Sequence, residues 1–404
     1  MARMTIRDLG YSPGQLPTGP KNSILDVKGV RVGQVTVGND GDDVHNGVTV
    51  ILPRSPDEIH IPCYAGMHTL NGNGEVSGSY QIKDWGFTNT PLALTNSVSF
   101  GIVFQSIWEW TLKQARDNGS SLETISHNYG TPVVGETADW FLNDVYNSAL
   151  KAESVHQAFA NAMTQEEILE GQHGGGAGMT CHMFPGGTGT SSRVVKGSGD
   201  MIYTVGVIVQ SNYGHTYDMQ VGGVPMGKLI LKEKGTPWRK EKVAGKADDG
   251  SIVIYLMYFP HISPKSPPAD DLLTCSTDAP MLPHQLIRLA RHCAVGLAQV
   301  GGHGVGSNHS GDIILALSTA NKPEERVMTP GVNGIGPIEV NEIEIIRNES
   351  INTMFKAASE VTEEAILNSM IAGREGRTGF DGATLDGFPV EFVKEMLAKY
   401  RVDV

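Results

Sequence analysis

No basic stripe runs along this chain of 404 residues, in which 31 lysines and arginines face 44 acidic side chains for a formal charge of −13. A nucleic-acid binder needs clustered cations to displace counterions, so that class is excluded. Cysteine is scarce. Cys63, Cys181, Cys275 and Cys293 are the only four, with no short pairing and no Cys-x-x-Cys, which argues against a disulfide framework or a zinc ribbon. No stretch approaches the roughly 18 uncharged apolar residues that a membrane-spanning helix needs, and the opening MARMTIRDLGYSPGQLPTGP lacks the apolar core of a secretory signal. The expectation is a soluble, cytoplasmic protein that engages no membrane. There is also no internal repeat, heptad, low-complexity tract or dividing linker, so residues 1–404 read as a single domain.

What is present is a sizeable core: hydrophobic residues make up 40% and charged ones 19%. Glycine, at 49 residues, implies many tight turns or close backbone approaches. SILDVKGVRVGQVTV and NDGDDVHNGVTVILP are β-branched alternating runs split by a Gly/Asp/Asn turn, the pattern of a hairpin. Further strands are expected at PLALTNSVSFGIVF, MIYTVGVIVQSNYG, GSIVIYLMY and GDIILALSTA. Apolar residues at three- and four-residue spacing predict helices at SVHQAFANAMTQEEILEG, APMLPHQLIRLARHCAVGLAQVG and INTMFKAASEVTEEAILNSMIAG. Without a regular βαβ alternation the fold class is layered α+β. One segment breaks the pattern: YFPHISPKSPPADDLLTCS, residues 258–276, is rich in proline and polar residues and interrupts the strand that starts at Ser251.

The glycine-rich stretches at 71–75, 171–180, 186–190 and 301–312 invite a phosphate-cradling reading, yet none ends in Gly-Lys-Ser/Thr and none sits in a strand–loop–helix unit followed by an acidic residue. His284, His292, His303 and His309 lack metal-ligand spacing, so no metal is expected. No serine occupies a Gly-x-Ser-x-Gly elbow. The step ADDGSIVIY at 247–255 leaves two readings open: a turn before a strand, or a cleavable Gly250–Ser251 bond. Cleavage would make Ser251 a chain terminus whose α-amine, with an ordinary pKa of roughly 7.7–8.0, can take the proton of its own hydroxyl.

Spacing does not choose between them, but the remainder of the chain does. SILDVKGVRVGQVTVG, HNGVTVILPR, LNGNGEVSG, PVVGETADWFLND, EGQHGGGAGMTCHMFPGGTGTSSRVV, YTVGVIVQSNYG, DDGSIVI, TDAPMLPHQLIRLARHCAVGLAQVGG and HSGDIILALSTAN occur in order across residues 23–321. Together they resemble the DmpA-type L-aminopeptidase/D-amidase-esterases and β-peptidyl aminopeptidases, self-processing hydrolases with an N-terminal serine. The resemblance implies an αββα sandwich, cleavage between Gly250 and Ser251 into an α chain of 1–250 and a β chain of 251–404, and Ser251 as nucleophile. It further implies that Asn212 steadies the oxyanion, that Ser310 and Asp312 orient the nucleophile's amine, and that Glu136 holds the substrate's amino group. Asn71, Asn73 and Glu75 take a structural role. No cofactor is implied; the substrate is a small peptide, amide or ester, and the assembly a homo-oligomer, commonly a tetramer of αβ pairs.

Two departures stand out. Members of that family carry an aromatic ring two positions after the glutamate, where this chain has Ala138, which reshapes the acyl pocket and leaves Trp140 or Phe141 to refill it. The 258–276 insert is the second, read as a lid, an oligomer contact or a translated intervening sequence. Both features motivate an alternative reading, a catalytically dormant binding protein of the same fold left unprocessed.

Overall fold

The computed structural model describes residues 3–121, 125, 129–147, 150–239, 251–262, 279–301, 310–323, 338 and 340–402, with the side chains of 251 and 258–262 outside that description. Gly250, residues 263–276, His303 and His309 lie outside the described residues.

In chain order the strands are Arg31–Val37 (β1), Asn46–Leu52 (β2), Cys63–Gly72 (β3), Phe87–Thr88 (β4), Leu92–Asn96 (β5), Val133–Thr137 (β6), Thr180–Cys181 (β7), Phe184–Pro185 (β8), Gly187–Lys196 (β9), Met201–Asn212 (β10), Trp238–Arg239 (β11), Ser251–Ile262 (β12), Gly311–Ser318 (β13), Arg377–Thr378 (β14) and Thr384–Leu385 (β15). The α-helices are Ser79–Trp85 (α1), Phe100–Asp117 (α2), Ala152–Asn161 (α3), Met226–Lys234 (α4), Pro283–Val300 (α5), Asn352–Ala372 (α6) and Val390–Tyr400 (α7). Two sheets dominate among the described residues: β1-β2-β5-β6, and β4-β3-β13-β12-β10-β9.

The sheets stack face to face with helices outside both, and strand periodicity shows why. Successive side chains of a strand point to opposite faces. On β12, Val253, Tyr255 and Met257 enter the layer shared with Leu92, Leu94 and Val133 of the other sheet. Ile252, Ile254 and Leu256 face the other way, into a core with Leu286 and Leu289 of α5 and Val361 and Ala365 of α6. A strand covered on both faces reads as a continuous apolar run, which is what SIVIYLM is. On the far side, Val103 and Ile107 of α2 and Val155 and Phe159 of α3 cover Val48, Val50, Ala93 and Val134. The result is the expected αββα sandwich.

The hairpin of β1 and β2 is present, as are the strands expected at β10, β12 and β13. Three expectations need correction, and the strand directions add a feature that was not foreseen. PLALTNSVSFGIVF is a strand only through Asn96, whose side-chain oxygen accepts from Ser99 N and turns the chain into α2. The helix expected over SVHQAFANAMTQEEILEG ends at Asn161. The sheets are mixed: β5 runs parallel to β6 after crossing through α2, and β12 parallel to β13 after crossing through α5. Finally, β12 pairs with β10 without a break from Ser251 opposite Asn212 to Ile262 opposite Met201. Residues 258–262 therefore continue the strand, where a break was expected.

Candidate functional site

Three strand ends converge at one edge of the larger sheet. Ser251 begins β12, stands opposite Asn212 at the end of β10, and pairs in parallel register with Gly311 at the start of β13. Asp312 follows, paired with Ile252 on one side and Asn71 of β3 on the other. Residues separated widely in sequence are thus neighbours across the ladder.

Around Ser251 the polar contacts are dense. The Ser310 hydroxyl donates to both Asp312 oxygens, at 2.9 and 2.8 Å, and both residues are fully buried. The Ser310 carbonyl accepts from the Asn71 side-chain amide and, at 3.3 Å, from the Asn73 backbone N–H. Gly311 is required here: a Cβ at that position would lie 2.5 Å from the Asn73 carbonyl oxygen. The loop at 71–76 presses directly on the start of β13.

That same loop reaches the other sheet. Val76 forms a bridge with Gly135, Glu75 N–H donates to Glu136 Oε1 at 2.9 Å, and Ser97 donates to Glu136 Oε2. Glu136 is half-buried on β6, a strand carboxylate fixed on both oxygens. Asn71, Asn73 and Glu75, read from sequence as structural, form the physical link between the Ser310–Asp312 pair and Glu136.

Asn212 is clamped at both ends of its side chain. Its oxygen accepts from Thr180 N–H at 2.8 Å, and its Nδ2 donates to the Ala138 carbonyl at 2.5 Å. One of the two amide hydrogens is therefore committed to Ala138. Ala138 is half-buried. Trp140 is 61% exposed, and Phe141 turns to meet Trp238 edge-on at 6.0 Å.

Sequence reading also passed over Asp139. It is 2% exposed, accepts from Asn143 Nδ2 at 2.8 Å, and has its carboxyl pushed up to about 7, first by burial and in smaller part by Glu136, against the pull of the Asn96 and Asn143 amides.

The other described features absorb no chemistry. In the glycine-rich segment, the Gly174 and Gly175 amides are taken by the Thr36 and Thr49 hydroxyls at 2.9 and 3.1 Å and all three glycines of the turn are buried, so they offer no phosphate cradle. His292 stacks on Phe355 at 4.1 Å. Among the described residues no group of three His, Cys, Asp or Glu side chains is placed to hold a metal ion, and no helix is long and apolar enough to cross a membrane.

Comparisons with known proteins fit this geometry. The sequence profile of peptidase family S58 matches residues 22–385. The chain is 37% identical over 408 residues to the β-peptidyl aminopeptidase BapA of Sphingosinicella microcystinivorans, with 98% of this chain and 92% of that protein covered. Among solved structures it resembles a Burkholderia sp. β-aminopeptidase, with a TM-score of 0.78, 34% identity and coverage of 99% and 100% of the two chains. It resembles equally the L-aminopeptidase D-Ala-esterase/amidase of Ochrobactrum anthropi, a prototype of the serine aminopeptidases and a variant of the Ntn-hydrolase fold, with a TM-score of 0.79, 33% identity and 98% coverage of each chain. With a match over most of its length, the chain belongs to peptidase family S58.

Proposed function

We propose that the protein is an N-terminal-serine aminopeptidase and amidase that cuts itself between Gly250 and Ser251 and then releases amino-terminal residues from small peptides, amides or esters. The observation that carries this reading is the position of Ser251: first residue of a central strand, opposite Asn212 and beside Gly311, with the buried Ser310–Asp312 pair next to it.

In the processed form the Ser251 α-amine takes the proton of the Ser251 hydroxyl as the oxygen adds to the substrate carbonyl. Charge developing on the carbonyl oxygen is met by the second Asn212 amide hydrogen and backbone N–H groups. The proton passes to the leaving amine, the acyl group stays on Ser251, and water releases it. Ser310 and Asp312 orient the attacking terminus. Glu136, already polarised by Ser97 and the Glu75 amide, anchors the substrate ammonium, which makes the enzyme an aminopeptidase. No metal or organic cofactor takes part. Names of the relatives extend the substrate class to β-peptides, L-aminoacyl amides and D-alanyl esters. The methyl of Ala138 in place of the family's ring favours bulkier acyl groups than a ring there would admit. A cytoplasmic homo-oligomer of processed pairs completes the proposal.

Intact mass of freshly purified wild type beside Ser251→Ala tests it. Two fragments meeting at Gly250–Ser251 in wild type and a whole chain in the variant support the reading; a panel of aminoacyl p-nitroanilides then ranks substrates. Whole chains in both, with no turnover, would favour the dormant binding protein.

A further inference from the structure

Resting on the reading above, we propose that Asp139 is a positioning residue that fixes Asn212 for acyl transfer, acting through the Ala138 carbonyl and the turn at Gly178. The two contacts that clamp the Asn212 side chain come from separate parts of the chain, Thr180 after the glycine-rich turn and Ala138 after β6. Those parts meet at one place. A Cβ on Gly178 would lie 2.9 Å from the Asp139 Cβ and 3.3 Å from that of Asn143, so the turn leading to Thr180 packs its bare backbone on Asp139.

Asp139 is itself immobilised. Its carbonyl accepts from Leu142 and Asn143 N–H at 3.2 and 3.0 Å, and its carboxyl accepts from Asn143 Nδ2 at 2.8 Å. Asn143 Oδ1 in turn accepts from His45 N–H at 2.7 Å, which ties the group to the start of β2. On its other side the carboxyl faces Asn96, whose neighbour Ser97 donates to Glu136. Asp139 therefore sits where the support of Asn212 joins the support of Glu136. An apolar residue of similar volume would fill the space without the cost of burying a carboxyl, and such a costly group next to the support of Asn212 marks a functional constraint.

Positioning predicts coupling. In the full-length protein, with whichever aminoacyl p-nitroanilide the wild type hydrolyses best, Asp139→Asn is expected to lower kcat per processed chain by about tenfold or more while KM changes less than about threefold. Asn212→Ala is expected to lower kcat further, and the double variant to be no slower than Asn212→Ala within about threefold, because the support has nothing left to hold. A kcat unchanged in Asp139→Asn would overturn the proposal, as would losses that multiply in the double variant. Should Asp139→Asn fail to fold, Asp139→Ser enters the same cycle. Turnover by Ser251→Ala, measured alongside, would sink the serine reading itself, and the Asp139–Asn212 cycle separates that failure from failure of the positioning role.

Discussion

Asn212 and Ser251 face each other directly across the antiparallel pairing of β10 with β12, at the end of one strand and the start of the other. Strand ends make poor flexible sites and good rigid ones, because the ladder fixes the backbone up to the last pair. Preorganised donors at such a place act where charge develops and need no reorganisation. Asn212→Ala is expected to reduce kcat by about 100- to 1,000-fold with a folded protein of near-normal Tm. A loss below about tenfold would show that backbone amides alone carry the oxyanion.

Gly311→Ala tests the loop contact. Its new Cβ would meet the Asn73 carbonyl at 2.5 Å, and since β13 is central and buried, the 71–76 loop must yield. Moving the loop withdraws the Glu75 amide from Glu136 and loosens the hold on the Ser310 carbonyl. The expected outcome is a fall in kcat/KM of at least about tenfold, shared between KM and kcat, with a stability loss on the order of 1–3 kcal/mol by denaturant titration. Wild-type kinetics in this variant would remove the loop from the mechanism.

How far the site was legible follows from which signals are local. SIVIYLM announces a strand buried on both faces, and HSGD places Ser310 and Asp312 at the head of β13 because a strand's register carries them there. The departure of α2 from β5 was readable too: Asn96 stands three residues before the amide it caps, but the apolar residues that continue past it, Val98 and Ile102–Val103 among them, masked the signal. The contacts of Glu136 with Ser97 and of Asn71 with Ser310 were not readable. They join residues 39 and 239 positions apart, and only strand pairing within each sheet, β5 with β6 and β3 with β13, brings them together. Asp139 escaped notice because a carboxylate two residues past a strand ordinarily belongs to a solvated turn.

Behind the larger sheet, Arg193 of β9 is fully buried between two carboxylates of α6, at 3.1 Å from Glu360 and 2.6 Å from Glu364, and it also donates to the Pro13 carbonyl at 2.8 Å. Arg7 shares Glu364 at 2.7 Å, so the cluster straps the chain's first residues across the outside of the sheet. Removing the central cation leaves buried carboxylates underpaired, which costs about 3–5 kcal/mol. Arg193→Leu is expected to lose that much in urea or guanidinium titration, while Arg7→Leu, which removes a partly exposed cation and leaves Glu364 still paired with Arg193, loses less. Equal losses in the two variants would contradict the central place of Arg193.

Two buried groups give opposite pH dependences. Asp139, raised from 3.8 to about 7 by burial, keeps a proton in the folded protein that the unfolded chain has already released, so its contribution to stability falls as pH rises through that window. His182, fully buried with Nδ1 hydrogen-bonded to the His215 carbonyl at 2.9 Å, is lowered from 6.5 to about 4 by burial. Between those values the unfolded chain binds a proton that the folded protein refuses, so its contribution rises with pH. In wild type the two slopes, each at most about 1.4 kcal/mol per pH unit, largely cancel between pH 4 and 6.5. Single variants separate them. Relative to wild type, the Tm of Asp139→Asn is expected to climb from about pH 4 to pH 7 and to level off above that, because the falling slope is gone. His182→Gln is expected to gain most on wild type near about pH 4 to 5 and to lose that gain by pH 7. Differential scanning calorimetry across this range decides the matter: a Tm difference independent of pH in either variant would show that its group titrates in the folded protein as it does in water.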